Sequence, residues 1–371
     1  MSSVFGKNIK ISVFGESHGP AIGVVIDGLP SGFDIDHEII SKEMGRRKPS
    51  AGVYSTKRKE ADKVEILSGI YNGKTTGTPV GAIIRNTDCL SRDYDNLDSL
   101  LRPGHADFSG LKRYKGYNDK RGSGHFSGRL TAPIVFAGAI ATQILNEYDI
   151  AIGSHIDSIY DFHDIRFDST QITREQLFML RSMDIPVNDR SCREEYLEII
   201  EETRKNLDSV GGVVETAIIG ISAGIGSPIF DNVEAKISSI LFSIPAVKGV
   251  EFGDGFGITK LYGSQANDSF YIKDENIYTK TNHNGGINGG ITNGMPVVFR
   301  TAIKPTSSIA KEQDTVDIKE ERDAKLIVKG RHDACIVPRA VPVIDAAAAI
   351  AILDILIDHY GLEGFNKGRY E

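Results

Sequence analysis

The stretch Gly23-Val24-Val25-Ile26-Asp27-Gly28-Leu29-Pro30-Ser31-Gly32 joins a β-branched run to a turn rich in glycine and proline, and a helix-like segment follows at residues 36–46. The same pattern recurs from Gly212-Val213-Val214-Glu215 through Gly224-Ile225-Gly226-Ser227-Pro228, again before a helix-like segment. β-Branched runs favour strands, and Gly/Pro clusters end them. Two interpretations stay open. Either a duplication gave two similar halves around one core, or two β-α units merely look alike.

The rest of the chain intersperses strand-like and helix-like segments. Strand patterns cover residues 21–26, 80–84, 212–221 and 295–301, and helix patterns cover residues 36–46, 132–148, 193–207, 233–242 and 344–360. Gly361 suits the end of the last helix. Interspersed helices and strands predict the α/β or α+β class.

Composition limits the function classes. The 371 residues are 40% hydrophobic and 25% charged with a net charge of −7, which is typical of a soluble globular protein. Length alone suggests about two domains. The negative balance argues against a protein that coats nucleic acid or anionic membrane.

Membrane insertion and an extracellular disulfide framework are also disfavoured. The N-terminus has no signal-peptide pattern. The most apolar stretches, residues 132–141 and 346–357, are expected to be too short to span a bilayer, and Asp354 interrupts the second. The cysteines are few, odd in number and widely spaced, which fits a reduced cytoplasm: Cys89, Cys192 and Cys335.

A histidine lies in the turn Phe14-Gly15-Glu16-Ser17-His18-Gly19-Pro20, directly after a strand-like run. Glycines on both sides allow a ligand to approach the backbone closely. Because imidazole titrates near neutral pH, His18 is a candidate proton donor. A solvated turn histidine is the alternative.

A basic island occurs in this otherwise acidic chain: Lys42, Arg46, Arg47, Lys48, Lys57, Arg58 and Lys59. Such a local positive field suits capture of a small polyanion. The alternatives are a solvated helix end and an RNA-binding patch, and the latter lacks an accompanying aromatic stacking module.

Four further clusters could carry chemistry, although each alone also reads as an ordinary loop. In Arg102-Pro103-Gly104-His105-Ala106-Asp107, the aspartate could orient the histidine. Gly122-Ser123-Gly124-His125-Phe126-Ser127-Gly128-Arg129 could present backbone N–H groups to an anion. Lys304-Pro305-Thr306-Ser307-Ser308 suits a phosphate, and Gly330-Arg331-His332-Asp333-Ala334-Cys335 combines four reactive side chains, with a thiol nucleophile possible but unsupported.

Taken together, these clusters resemble the chorismate synthase family, through eleven motifs in the same order. They are F-G-E-S-H-G at 14–19, G-R-R-K-P at 45–49, T-K-R-K-E at 56–60, E-I-L-S-G at 65–69, T-T-G-T-P-V at 75–80, R-P-G-H-A-D at 102–107, A-V-K-G-V-E at 246–251, G-D-G-F at 253–256, N-H-N-G-G-I-N-G-G-I at 282–291, K-P-T-S-S-I at 304–309 and R-H-D-A-C at 331–335.

The resemblance implies an α+β fold, a β-α-β sandwich of two similar halves around one core, with residues 1–371 forming one domain that carries an internal pseudo-duplication. It implies a cytoplasmic carbon–oxygen lyase of the shikimate pathway that converts 5-enolpyruvylshikimate 3-phosphate to chorismate and phosphate. This 1,4-anti elimination needs reduced FMN without net redox change. A homotetramer is implied, with NADPH involved only in reducing the flavin. An external reductant is favoured, and no metal, nucleic acid or membrane is implied.

The resemblance also assigns roles to residues. His18 would protonate the departing phosphate, His105 would donate a proton to the flavin, and Asp333 would lie beside the flavin nitrogen that acts as base. Substrate or other anions would contact Ser17, Arg46 and Arg47. FMN would contact His125, Phe126, Ser127, Pro245, Ala246, Gly289, Lys304, Pro305, Thr306, Ser307, Ser308 and Arg331.

The chain departs from the family pattern at four positions. His125 and Leu130 stand where the family usually has arginine and glutamate, Asp345 stands where it has glutamate, and Val53 stands where some members have arginine. A neutral histidine holds phosphate less firmly than a guanidinium does. A non-catalytic flavin- or anion-binding scaffold of the same fold is the alternative function, but the intact histidines and aspartate argue against it.

Overall fold

The computed structural model describes residues 3–48, 62–86, 99–328 and 333–365. Its α-helices are α1 His37–Arg47, α2 Asp107–Tyr114, α3 Thr131–Asn146, α4 Arg174–Ser182, α5 Cys192–Lys205, α6 Val233–Leu241, α7 Gly263–Ala266 and α8 Val337–Phe365. Its strands are β1 Val4–Phe5, β2 Lys10–Gly15, β3 Ala21–Asp27, β4 Val64–Ile66, β5 Ile70–Tyr71, β6 Lys74–Thr75, β7 Val80–Arg85, β8 Ala151–Ile159, β9 Phe162–His163, β10 Gly212–Ile219, β11 Val247–Phe252, β12 Phe270–Lys273, β13 Asn276–Thr279, β14 Ile287–Asn288, β15 Ile291–Thr292, β16 Val297–Ile303, β17 Gln313–Asp317 and β18 Arg322–Leu326.

Two five-stranded antiparallel sheets share one connectivity. The first has the order β1-β2-β3-β7-β4, and the second has the order β9-β8-β10-β16-β11. In the first, a strand pair (β2, β3) leads to α1, then to β4 and β7, and then to α3. In the second, β8 and β10 lead to α6, then to β11 and β16, and then to α8. The β-branched run at residues 23–26 and its echo at 212–215 therefore lie in the equivalent central strands β3 and β10. This connectivity is what a duplication would leave, and the duplication itself stays a prediction.

The helices α1, α3, α6 and α8 form the layer between the sheets. α3 packs on β2, β3 and β7, whereas α8 packs on β8 and β10, and the two helices pack on each other. Both are almost entirely apolar, because each faces neighbours on all sides. The predicted α+β sandwich of two similar halves around one core is confirmed.

Local sequence sets the ends of these helices. Asp36 caps α1 by accepting a hydrogen bond from the Glu38 N–H, and Asn232 caps α6 by accepting one from the Ala235 N–H. α8 begins at Val337 rather than at 344, because Pro342 is tolerated inside it. A proline normally signals a helix boundary, so sequence patterns placed the first two turns outside the helix. Gly361, with a φ of 70°, interrupts its last turns.

The prediction that the apolar stretches are too short to span a bilayer is wrong. Both stretches nevertheless belong to helices in the core of the protein. Helical segments Gly128–Asn146 and Val337–Glu363 are long and apolar enough to cross a bilayer. However, 89% and 94% of their most apolar windows are buried inside the protein. Burial, not length, explains their composition.

Candidate active site

A cleft of about 720 Å³ opens between loops from both halves of the molecule. Its walls come from residues 102–106, 122–131, 242–248, 304–308 and 333–343, together with Arg47. Within the described residues these walls carry six basic side chains and one carboxylate, Asp333: the basic set is Arg47, Arg102, Arg129, Lys248, Lys304 and Arg339. A concave site with this charge balance is suited to a small polyanion.

The glycine-rich loop after α2 wraps around the Ser17-His18 turn. It forms a 3-10 segment, Arg121–Phe126, in which Gly122, Ser123 and Gly124 have positive φ. The Ser17 N–H donates to the Gly124 carbonyl, and the Ser17 hydroxyl donates to the Gly122 carbonyl at 2.6 Å. These bonds tie the first sheet's β2–β3 turn to the cleft wall.

His18 lies directly behind this wall. Its Nδ1 is 3.1 Å from the Ser17 hydroxyl oxygen, which has its own hydrogen directed to the Gly122 carbonyl. A Cβ on Gly122 would fall 1.9 Å from the His18 ring atoms. Gly122 lines the cleft, whereas His18 is not among the lining side chains. The absence of a side chain at 122 therefore sets how closely His18 approaches the site.

His105 lines the cleft and forms a tight cluster with Arg102 and Asp107. The His105 Nδ1 is 2.6 Å from Asp107 Oδ1, and the Arg102 guanidinium donates to both carboxylate oxygens, at 2.6 and 2.8 Å. Burial alone would raise the pKa of Asp107, but its bonds to Arg102 and His105 outweigh burial and hold the pKa well below its usual range. Asp107 is therefore ionised at neutral pH.

Asp333 also lines the cleft, in the segment just before α8. It pairs with the Arg339 guanidinium at 2.5 Å, and the Nε of Arg339 donates to the Arg47 carbonyl. Arg47 in turn pairs with buried Asp62, which also pairs with Arg129. Burial of Asp62 opposes ionisation, but the two guanidinium groups lower its pKa below the usual value.

The 304–308 segment faces the His105 loop across the cleft. The Lys304 ammonium donates to the Gly104 carbonyl at 2.6 Å, and the Ser209 hydroxyl donates to the Thr306 carbonyl. The pKa of Lys304 is lowered, first by partial burial and then by the neighbouring charge of Lys248. The Thr306 hydroxyl oxygen is buried and has no hydrogen-bond partner among the residues that the structure describes. An unpaired buried hydroxyl at a cationic wall fits a ligand that supplies acceptor oxygens.

The structure brings together most of the predicted site residues. The cleft is lined by His105, His125, Phe126, Ser127, Pro245, Ala246, Lys304, Pro305, Thr306, Ser307, Ser308, Asp333 and Arg47. His125 stands where the family usually has arginine. Its Nδ1 donates to the Gly15 carbonyl at 2.9 Å, which holds the loop of residues 122–128 against the β2–β3 turn. Leu130, the second departure, is buried in the core.

Arg46 does not lie in the cleft, contrary to the anion-binding prediction. Its guanidinium pairs with Glu43 at 2.7 Å and with Asp345 at 2.9 Å, in a buried network that includes Arg181. Ser154 also donates to Asp345 at 2.5 Å. Residues 46 and 47 are adjacent on a helix and point to different sides, so only one of them can face the cleft.

Two residues that were predicted to contact FMN are not found in this cleft. One lies elsewhere in the structure, and the other falls outside the described residues. Gly289 is exposed at the β14–β15 turn and is not among the lining residues. Arg331 falls outside the described residues, as do Val53, Cys89 and the basic residues at 57–59. Of the four described residues of the island, Lys42 is exposed and Lys48 is partly exposed, whereas Arg46 and Arg47 point inward, so the four do not form one positive surface.

Sequence reasoning missed four of the cleft cations as site residues: Arg102, Arg129, Lys248 and Arg339. Arg102, Arg129 and Lys248 belong to the sequence motifs and clusters described above. Their place in those motifs could have identified them as site residues. Arg339 lies in the part of α8 that its prolines concealed. The thiol of Cys335, by contrast, is fully buried, and burial raises its pKa to about 12, which disfavours a nucleophilic role.

Comparisons with known proteins agree on one family. The family model described as chorismate synthase matches residues 9–357. Chorismate synthase of Thermococcus kodakarensis is 44% identical over 97% of this chain and 99% of its own length. That of Agathobacter rectalis is 43% identical over 97% and 96%.

A solved structure carries the same description. The crystal structure of a chorismate synthase superposes with a TM-score of 0.77 and 29% identity, over 98% of this chain and 96% of that one. The shared fold, the cationic cleft and the sequence identity over nearly the whole length lead to one conclusion. The chain belongs to the chorismate synthase family of shikimate-pathway enzymes.

Proposed function

We propose that the cleft is where phosphate leaves 5-enolpyruvylshikimate 3-phosphate in a 1,4-anti elimination that yields chorismate, which makes the chain a carbon–oxygen lyase. The observation that carries this proposal is the lining of the described residues, in which six basic side chains outnumber the three carboxylates paired with them, Asp62, Asp107 and Asp333. The substrate bears a phosphate and two carboxylates, and arginine binds such groups with paired hydrogen bonds. The elimination breaks one C–O and one C–H bond and leaves a new double bond without net redox change.

Reduced FMN fits the same cleft. Its volume of about 720 Å³ lies within the range of small-molecule and cofactor sites. The unpartnered Thr306 hydroxyl, the Lys304 ammonium and the 122–128 backbone offer donors for a phosphate and a polar ring edge. Phe126, Pro245 and Ala246 add apolar surface. When bound, the reduced flavin supplies electron density and a basic nitrogen next to the substrate.

Three side chains of this chain handle protons in this proposal. His105 holds a proton at the cleft wall, with its ring fixed by Asp107. His18 holds a proton behind Gly122 for the departing phosphate, because a protonated or paired phosphate leaves more easily. Asp333, fixed by Arg339, would hold its carboxylate toward the bound cofactor and would support the removal of the ring hydrogen.

The test is phosphate release from 5-enolpyruvylshikimate 3-phosphate under anaerobic conditions, with reduced FMN, oxidised FMN or no flavin. We expect stoichiometric chorismate and phosphate only with reduced FMN. Folded protein that binds FMN and substrate but releases no phosphate would identify a non-catalytic scaffold. That alternative is not favoured, because His18, His105 and Asp333 are all present.

The assembly proposed for the family, a homotetramer, suits the surface of the second half. Large apolar side chains are exposed there at Phe256, Tyr262, Phe270, Ile272 and Ile277. Exposed apolar patches commonly mark protein interfaces. Light scattering should give four times the mass of one chain, and a monomer would contradict the proposal. Gly289, exposed and away from this chain's cleft, would then contact the cofactor across a subunit interface.

Location and flavin reduction complete the proposal. Few, buried thiols at Cys192 and Cys335 suit a reducing cytoplasm. The helical segments apolar enough for a bilayer are core elements, which favours a cytoplasmic enzyme. We propose that an external reductant supplies the reduced flavin and that NADPH acts only through it. Incubation of the pure protein with NADPH and FMN should therefore leave the flavin oxidised.

A further inference from the structure

We propose that Asp107 is a positioning residue, which fixes His105 with its hydrogen on Nδ1 and thereby leaves Nε2 as the nitrogen that exchanges protons in the cleft. The proposal rests on the proposed function, because it takes His105 to be the proton donor there. It adds a residue that acts through His105 without contacting the substrate. It also specifies which ring nitrogen takes part.

The first step is that the Asp107 carboxylate is itself immobile. Three donors of Arg102 hold it: the backbone N–H and Nε contact Oδ2 at 3.0 and 2.8 Å, and Nη2 contacts Oδ1 at 2.6 Å. Asp107 is also the first residue of α2, where the helix dipole favours a negative charge. The Arg102 Nη1 is anchored in turn on the Ser123 hydroxyl at 3.1 Å. A carboxylate held in this way has a fixed direction.

The second step assigns the hydrogen between Nδ1 and the carboxylate. An ionised carboxylate can only accept, so a contact of 2.6 Å from Oδ1 to Nδ1 requires a hydrogen on Nδ1. The Arg102 Nη2 also lies 3.1 Å from Nδ1, but it is nearer to Oδ1, at 2.6 Å. One of its two hydrogens is directed to the charged oxygen. Because the 2.6 Å contact with the carboxylate already requires a hydrogen on Nδ1, that nitrogen has no lone pair to accept the other, and Nδ1 remains a donor.

The third step follows from the shape of the ring. The two nitrogens of imidazole point in different directions, so a ring that directs Nδ1 toward Asp107 directs Nε2 away from it. The His105 side chain is largely buried, with 15% of its surface exposed, and it lines the cleft. Nε2 is thus the nitrogen available to a ligand, as in other sites where a carboxylate fixes the tautomer of a catalytic histidine.

A matched control lies in the neighbouring loop. Asp119 and Arg121 form the same paired contact, with Nε and Nη2 at 2.9 and 2.8 Å from the carboxylate and the Arg121 N–H at 3.0 Å. No histidine ring nitrogen is hydrogen-bonded to Asp119 among the contacts of the described residues. Asp119 instead hydrogen-bonds to the Glu16 carboxyl. The variants Asp107→Asn and Asp119→Asn therefore make the same chemical change at an arginine-paired carboxylate, with a histidine partner in one case and a carboxyl partner in the other.

The direct test is nitrogen NMR of the full-length protein labelled at histidine, with His105→Ala used to assign the signal. In the wild type we expect the neutral imidazole of His105 to carry its hydrogen on Nδ1. In Asp107→Asn the amide group faces Nδ1 with a donor, so we expect the hydrogen to move to Nε2. A wild-type ring with its hydrogen on Nε2 overturns the proposal, and this measurement requires neither turnover nor a folded variant at position 107.

The kinetic test separates action through His105 from a general structural role. We expect Asp107→Asn to lower kcat by about 10²-fold, the scale of losing a general acid, and Asp119→Asn to change it by less than about 2-fold. In a His105→Ala background, Asp107→Asn should have no further effect. A full additional loss in that background overturns the proposal, as does a wild-type rate in Asp107→Asn. Inactivity of the wild type with reduced FMN would instead contradict the proposed function, whatever the tautomer.

Discussion

At the scale of single residues, the site depends on a glycine, Gly122, as much as on its reactive side chains. Gly122 has a φ of 56° and lies so close to His18 that a Cβ would fall 1.9 Å from the ring. L-residues rarely adopt that backbone conformation, so two separate constraints require glycine there. One glycine thus controls the position of His18 in the β2–β3 turn.

We therefore expect Gly122→Ala to displace His18 and lower kcat by about 10²-fold, while protein folding is retained. The control is Gly73→Ala, because Gly73 also has a left-handed φ, of 75°, but a Cβ added there would meet no atom within 4 Å. Steady-state rates and thermal unfolding of both variants check the prediction. Equal losses in the two variants would show that backbone strain, and not His18, is responsible.

Sequence patterns predicted residues of this site unevenly. His105 and the 304–308 segment stand in rigid turns whose chemistry is local, and both line the cleft. Arg46 and Arg47 are adjacent in sequence, yet one pairs with Asp345 inside the protein and the other lines the cleft. Which face of a helix meets which neighbour depends on packing of distant segments, so the pattern alone could not separate the two arginines.

At the scale of elements, a histidine connects the second sheet to the long segment between β8 and β10. This segment packs on the outer face of the sheet, away from α8. His155 lies on β8, with Nδ1 2.9 Å from Asp164 and Nε2 2.8 Å from Glu215, and all three are buried. Asp164 also accepts the backbone N–H groups of Asn188 and Asp189. The histidine therefore connects the sheet with the loops on either side of α4.

This cluster predicts a pH-dependent stability. Burial opposes the charged form of His155, but the hydrogen bonds that its ring donates to Asp164 and Glu215 outweigh burial and raise the pKa from 6.5 to about 8. Because the folded pKa is the higher one, the stabilisation is complete below about pH 6.5 and is lost as the pH rises through 8. The shift corresponds to about 2 kcal/mol in the free energy of unfolding.

Chemical denaturation of the wild type and His155→Gln from about pH 6 to pH 9 measures this effect. We expect the difference in unfolding free energy to shrink by about 2 kcal/mol across that range. His163→Gln is the control, because His163 is adjacent on β9 but 60% exposed. A difference that does not change with pH would mean that His155 is neutral in the folded protein.

Helices were predicted better than their contacts. The 3.6-residue pattern located α1, α3, α5 and α6 to within a few residues, since each has a regular apolar face or core. α2 and α4 went unpredicted because both are short and rich in charged residues, whereas α6, which has nine residues like α4, is more apolar. The echo of β3 in β10 was visible, but the matching order of the other strands depends on long-range pairing that no local pattern contains.

At the scale of the whole molecule, one buried carboxylate joins both halves. Asp354, in the middle of α8, accepts the backbone N–H groups of Lys7, Asn8 and Ile9 and pairs with Lys236 of α6 at 3.1 Å. The residue that interrupts an apolar stretch in the sequence is thus the connection between the start of the first sheet and the second half.

We expect Asp354→Ala to lower the free energy of unfolding by about 3–5 kcal/mol, because it leaves a buried ammonium and three amides without their partner. Asp358→Ala removes a partly exposed pair with Lys7 one turn later and should cost less than about 1 kcal/mol. Urea unfolding followed by circular dichroism compares the two. Similar losses in both variants would contradict the role assigned to Asp354.

The position of α8 in the chain has a consequence for biosynthesis. This helix packs between sheets whose strands are all translated before it, and its Asp354 bonds to residues 345 to 347 positions earlier. During translation the inner apolar face of the second sheet therefore lacks its α8 cover until α8 leaves the ribosome, whereas α3 already packs on the first sheet. From the synthesis of β8 and β10 until α8 follows, the nascent chain therefore exposes an apolar sheet face, and transiently exposed apolar surface is prone to aggregation.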